Sequence, residues 1–191
     1  MHGGWGAPSQ PEPSLLVWGR VEEGRIVLEP TFEITTTPVL PMQAGDFLLE
    51  GTDGSGESLF TLSFQPTTIP DADTGTSHFA FAIPLRSFDA SDLERLRVSG
   101  GGRSPATLEP RVGPQRASAP DPEVAEGAGD SVEITWDGAA FPMALIRDPA
   151  TGQILSFARN GRISLDAPSG EIELVFSDGL RSREPLRRVV R

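Results

Sequence analysis

The sequence predicts an all-β protein of two β-sandwich-like domains, antiparallel and almost free of helix. Three observations predict it. Apolar residues recur with a period of two over short runs, as on strands with one buried face. Clusters of Gly, Pro, Asn and Asp separate those runs, in the second half at about 8–12 residues per strand, the rhythm of a sandwich or barrel. No stretch of about 12 residues carries the apolar spacing of an amphipathic helix.

Residues 1–13 form a Gly/Pro/Ser-rich tail with too little apolar content to fold. The first strand is expected at Leu15–Val21 (LLVWGRV), turning at Glu22-Glu23-Gly24 into Arg25–Thr36. Pro30 should bulge or break that second run, because it cannot donate to a ladder. Asp46–Glu50 and Ser58–Phe64 flank a second turn, Gly51–Glu57. His78–Leu85 alternates Phe79, Phe81, Ile83 and Leu85 on one face. Ser91–Val98 starts as a single helical turn and ends as a strand before Gly100-Gly101-Gly102, and Thr107–Val112 closes the sheet. The first domain is therefore placed at residues 14–112.

From Gly113 to Asp130 (GPQRASAPDPEVAEGAGD) Val124 is the only large apolar residue. This reads as a linker, since structureless loops beyond about 12–15 residues are uncommon inside a domain. The second, smaller domain, residues 131–191, is expected to hold Val132–Trp136, Met143–Arg147, Ile154–Ala158, Arg162–Leu165, Glu171–Phe176 and Leu186–Val190. Its turns fall at Asp148–Gly152, Asn160-Gly161, Pro168–Gly170 and Asp178-Gly179, and Asn-Gly between apolar alternations is among the strongest hairpin signals. The halves share a rhythm but no alignable repeat. Alternation assigns Val17, Ile26, Leu28, Leu48, Leu62, Phe64, Phe79, Phe81 and Ile83 to the first core. It assigns Ile134, Trp136, Leu145, Leu155, Phe157, Leu174 and Phe176 to the second.

Composition removes whole classes of function. The net charge of −11 over 191 residues argues against nucleic acid or an anionic membrane surface as partner. No apolar run approaches the roughly 20 residues of a membrane-spanning helix. Without cysteine there is no disulfide framework, thiol catalysis or cysteine-ligated metal. All 16 basic residues are arginine and Asn160 is the only asparagine, a bias that points to a high-GC genome. The absence of lysine removes Schiff-base chemistry and the P-loop. His2 and His78 are the only histidines, too few for an HExxH-type metal site. The start, MHGGWGAPSQPEPS, lacks the basic-then-apolar order of a signal peptide, so the chain is read as part of a larger precursor.

Few residues remain to carry chemistry. Ser77 and His78 are sequence neighbours on a strand and point to opposite faces, so they cannot pair as nucleophile and base, and there is no G-x-S-x-G elbow. No catalytic residue, resident metal or cofactor is expected. Two acidic clusters are weak calcium candidates: Asp71 and Asp73 in PDADTGT, and Asp53 and Glu57 in GTDGSGE. Each resembles half of an oxygen-ligand loop but lacks the further ligands, and a solvated turn uses the same residues. Trp18 and Trp136 sit within strand patterns, where core packing is commoner than sugar stacking; Trp5 lies in the tail. Arg181, Arg183, Arg187, Arg188 and Arg191 form either an anion- or partner-binding strip or the charged guard of an edge strand.

The segments VEITWDGAAFPMALIRDPATGQILSFARNG and ELVFSDGLRSR resemble carboxy-terminal β-sandwich modules of large exported proteins from high-GC bacteria, some of which carry a peptidase upstream. LLVWGRVEEGRIVLEPTFEI with HFAFAIPL looks like the module that precedes them there. The resemblance implies accessory domains of immunoglobulin or fibronectin type III character, although the cysteine pair of a strict immunoglobulin domain is missing. It implies a non-catalytic spacer, adhesion or interaction module, secreted or at the cell surface, attached to an upstream domain and meeting a protein or cell-surface partner. The alternative function is a carbohydrate- or calcium-binding domain that targets an exported enzyme.

Overall fold

A computed structural model describes residues 10–68, 75–111, 121–126, 131–166, 170–183 and 185–190. The chain divides into two compact units, Met1–Glu29 with Glu33–Thr107, and Pro30–Phe32 with Leu108–Arg191. Both are built from antiparallel strands, and the helical content among the described residues is two single 3₁₀ turns, Leu85–Ser87 and Ala90–Asp92.

The first unit runs β1 (Glu12–Glu22), β2 (Arg25–Leu28), β3 (Phe32–Thr36), β4 (Phe47–Thr52), β5 (Ser58–Phe64), β6 (Thr67–Thr68), β7 (Ser77–Pro84), β8 (Arg95–Gly100) and β9 (Arg103–Leu108). One sheet has the order β2-β1-β7-β6, with β3 also on β1, and the other the order β5-β4-β8-β9. The hairpin from β1 to β2 closes through Glu23 and Gly24, both at positive φ (48° and 75°), the geometry of a two-residue turn whose twist matches its strands. Leu15, Val17 and Gly19 of β1 lie opposite Ile83, Phe81 and Phe79 of β7 and present one buried face. A Cβ at Gly19 would sit 2.6 Å from the Phe79 ring, so the absent side chain is what admits the phenyl group. The facing sheet supplies Phe47, Leu49, Phe64, Leu96 and Val98, all buried. The Phe64 ring lies 5.0 Å from both Phe79 and Phe81 and 5.6 Å from Phe47, joining the two sheets through aromatic contacts.

The second unit runs β10 (Glu123–Glu126), β11 (Ser131–Thr135), β12 (Met143–Arg147), β13 (Ile154–Arg159), β14 (Arg162–Asp166), β15 (Gly170–Ser177) and β16 (Leu186–Val190). Its sheets have the orders β10-β11-β14 and β13-β12-β15-β16. The core lies between them: Val132 and Ile134 from the first meet Ala144, Ile146, Ile172, Leu174 and Phe176 from the second. Asn160 and Gly161 (φ 61° and 76°) make the β13–β14 turn that the Asn-Gly pair predicts. Residues Pro30–Phe32 belong to this unit. Thr31 donates its N–H to the Gly179 carbonyl (3.1 Å) and its hydroxyl to the Leu180 carbonyl (2.6 Å), and the Phe32 ring lies 5.7 Å from Phe157.

The two units share part of their pairing plan. In each, a strand earlier in sequence than a central hairpin pairs with one later than it: β1 with β7 in the first unit, whose sheet also holds β2, β3 and β6, and β11 with β14 in the second, whose sheet adds only β10. In each, the hairpin and the last two strands form the four-stranded sheet: β5-β4-β8-β9 and β13-β12-β15-β16.

Several expectations need correction. Part of the expected 113–130 linker is strand: Glu123–Glu126 pairs with β11 in continuous register, an edge strand held by backbone bonds with Val124 41% exposed. The first unit releases Pro30–Phe32 to the second, which a reading of local pattern does not detect. Leu48 is 40% exposed, because the Phe47/Leu49 phase of β4 takes the buried face and a shift of one residue inverts every side chain. Leu155 is 47% exposed, on an edge strand whose pairing shifts register beside it. Leu28, Leu62, Trp136 and Phe157 are half-buried at the margins.

Candidate interaction surfaces

The acidic candidates fall out differently. Asp71 and Asp73 lie outside the described residues. Asp53 and Glu57 bracket the β4–β5 turn, and their placement follows from turn chemistry. Asp53 Oδ1 accepts from the Ser55 N–H (2.9 Å), the Ser55 hydroxyl (2.7 Å) and the Glu57 N–H (2.8 Å). The Ser55 side chain, followed by the backbone N–H donors, holds the Asp53 carboxyl below the usual carboxylate range. One oxygen of the Asp53 carboxylate is thus occupied by three donors of its own loop. Among the described residues no group of three or more His, Asp or Glu side chains is placed to hold a metal.

His78 sits on β7 between Arg20 of β1 and Thr67 of β6, inside a sheet and not at its edge. Trp136 donates its indole N–H to the Phe141 carbonyl (2.8 Å) and packs 5.6 Å from Phe176, so its ring serves the core margin. Trp18 shares the outer face of β1 with Arg20, opposite Ala80, and is half-buried. Trp5 and Arg191 lie outside the described residues.

The arginine-rich end is largely consumed within its own unit. Arg183 donates to the fully buried Asp178 carboxylate (2.8 Å). The other oxygen of Asp178 accepts the N–H groups of Leu180 (3.1 Å) and Arg181 (2.9 Å). Arg187 stands 3.5 Å from Glu173, which Arg147 also contacts, so Arg147, Glu173 and Arg187 form an ionic row across three strands. Arg188 reaches Asp121 (2.9 Å). Sequence indicated the cluster; of the acids that meet it, Asp178 is local to Arg183, whereas Glu173 and Asp121 come from other segments and carry no local signal.

Two clefts were not foreseen. One, of about 510 Å³, is lined by Glu33, Leu85–Ala90 and the intervening side chains. Desolvation, with repulsion from Asp89, raises the Glu33 carboxyl, whereas the Ser91 N–H and then the Ser91 hydroxyl lower that of Asp89. Such divergence is the pattern an acid–base pair uses. Here Asp89 Oδ1 is engaged in capping the turn, accepting from Ser91 N (2.8 Å) and Ser91 Oγ (2.7 Å), and Arg86 is paired with Glu12. The other cleft, of about 550 Å³, lies at one end of the β13–β16 sheet, between the Asp148–Ala150 turn, Leu155, Glu171 and Arg187. It joins an exposed apolar patch, Ile154 and Leu155, to the ionic row.

Two antiparallel sheets packed over one core make each unit a β-sandwich module. No family model matches the chain, and no curated protein matches it. Among solved structures it is similar to a two-domain fibronectin type III segment of chicken tenascin, at 13% identity and a TM-score of 0.33, over 96% of this chain and 95% of that one. It is also similar to the BSP domain of a biofilm-associated protein, at 11% identity and a TM-score of 0.30, over 95% of this chain and 29% of that one. Scores this low do not by themselves define a shared fold, which rests on the strand order. No helix among the described residues is long and apolar enough to cross a membrane.

Proposed function

We propose that the chain is a tandem of non-catalytic accessory modules from a larger exported bacterial protein, such as a peptidase, acting as spacer and interaction segment toward a protein or cell-surface partner. The observation that carries this reading is a pair of antiparallel sandwiches in succession, each with a four-stranded sheet of corresponding order, β5-β4-β8-β9 and β13-β12-β15-β16. Local use of charge agrees with it: Asp53, Asp89, Asp148 and Asp178 all hold turns.

A spacer built of independent sandwiches yields one unit at a time under load. Single-molecule stretching of the full chain is expected to give two unfolding events, each releasing about 25–35 nm at roughly 3.3–3.6 Å per residue. One event spanning the whole chain overturns the modular reading.

A further inference from the structure

An edge strand offers a row of backbone N–H and C=O groups to any strand that can approach, and proteins guard such edges with charge or proline. Most edges here are guarded: β9 carries Arg103 and Pro105, β13 Arg159, and β16 Arg187 and Arg188. β5 is different. Among the described edge strands longer than two residues it alone has no charged side chain, and its seven residues, SLFTLSF, contain neither proline nor glycine. That composition is the signature of strands that add to other strands.

Two further observations point to an added strand. Phe60 and Leu62 face the core yet are only partly buried, Phe60 against the Phe88 ring at 4.8 Å, while Phe47 and Leu49 on the adjacent β4 are buried. On the outer face Leu48, opposite Ser63, is 40% exposed with no apolar neighbour beyond it in register.

We propose that β5 is a strand-addition surface whose occupant is β5 of a second copy, antiparallel and centred on Thr61. This does not depend on the accessory-module reading. In that register Thr61 meets Thr61 and Phe60 meets Leu62 of the other copy, and no residue from Phe60 to Phe64 is charged, so no like charges face each other there despite the net charge of −11; the register shift at Leu59 ends the regular run. Leu48 and Ser63 lie on the outer face beside this seam. The nearest acid on that face, Glu50, lies opposite Arg97 and Thr61. The two copies of Glu50 would stand three strand spacings apart, about 14 Å, beyond the Debye length of about 8 Å. The two four-stranded sheets would become one of eight.

Sedimentation velocity of the full chain over a micromolar series is the test. The expected result is a monomer–dimer equilibrium that Thr61→Lys weakens at least about tenfold by placing two ammonium groups opposite each other. Because Thr61 is exposed, the Tm of that variant should match the parent at concentrations where both are monomeric. Thr61→Cys, in a chain without cysteine, should form an interchain disulfide on mild oxidation, since central antiparallel pairs lie about 4.5–5.5 Å apart at Cα, within disulfide reach. Thr37→Cys, an exposed loop position, serves as control. A chain that stays monomeric throughout, or a dimer indifferent to Thr61→Lys, overturns the proposal. A dimer that Thr61→Cys traps no better than Thr37→Cys overturns it as well.

Discussion

Between β4 and β5 the first unit turns on Asp53-Gly54-Ser55-Gly56-Glu57; between β12 and β13 the second turns on Asp148-Pro149-Ala150-Thr151-Gly152-Gln153. The two turns are built alike. Each aspartate accepts backbone N–H groups two or more residues on through Oδ1. Each donates its own N–H to the closing residue (Asp53 to Glu57, 3.0 Å; Asp148 to Gln153, 2.9 Å). Each has a glycine at positive φ just before closure, Gly56 at 87° and Gly152 at 72°. Each follows a register shift at the end of the preceding strand. The connection between the last two strands differs. The first unit uses Gly100, Gly101 and Gly102, all at positive φ, and a Cβ at Gly100 would lie 2.1 Å from the Asp46 carbonyl oxygen. The second buries the Asp178–Arg183 pair and fastens the corner to Arg111 and Thr31 by backbone bonds of 3.0 and 3.1 Å. One topology therefore tolerates a corner made from backbone freedom and a corner made from buried charge. The aspartate turn recurs because it is local chemistry, which is also why Asp53 reads as a turn former.

The largest expected effects test whether the cores are separate. Phe64→Ala and Phe176→Ala should each cost about 3–5 kcal/mol, the first confined to the first unit and the second to the other. Hydrogen exchange resolved by residue should show protection lost in one unit only; loss across both would erase the division. Next is the corner that differs. Asp178→Ala strands a buried guanidinium and should cost the second unit about 3–5 kcal/mol, measured by denaturant unfolding. A change below about 1 kcal/mol would mean that the pair contributes little to holding this corner.

The shared turn predicts smaller, matched losses. Asp53→Ala and Asp148→Ala should each lower the Tm of their own unit by a few degrees, by similar amounts. Added calcium should leave the parent's Tm unchanged; a rise of several degrees that Asp53→Ala abolishes would restore a calcium site. Asp53 titrates below its unfolded value, so its stabilisation is present above about pH 4 and is lost as pH falls through the lower folded value. An acid titration of Tm should therefore converge for parent and Asp53→Ala at the lowest pH. The smallest effect concerns the hairpin turns. Glu23 occupies the left-handed region at φ 48° where the second unit uses Asn160, so Glu23→Asn should stabilise the first unit by about 0.5 kcal/mol.

Much of this was legible because it is local. The Glu23-Gly24 and Asn160-Gly161 turns, the breaks at Pro30 and Gly100–Gly102, and the alternation of Phe79, Phe81 and Ile83 each carry their own signal. Leu48 was misplaced because Phe47-Leu48-Leu49 is apolar in both phases, and only the facing sheet selects one. β10 escaped because an edge strand needs backbone partners more than apolar side chains. The correspondence of the two four-stranded sheets escaped because pairing order leaves no mark on residue identity. The Glu33–Asp89 cleft and the Arg147–Glu173–Arg187 row draw on segments far apart in sequence. Asp71 and Asp73 remain an expectation from sequence alone.

The placement of Pro30–Phe32 has a consequence for how the gene can be cut. Thr31 is separated from its acceptor Leu180 by 149 positions, so the coding sequence contains no single point at which the second unit begins. A fragment started at Leu108 for transplantation into another protein would leave the carbonyls of Gly179 and Leu180 without these donors. During synthesis the tripeptide emerges long before the strands that receive it, and its partner Leu180 follows 149 positions later.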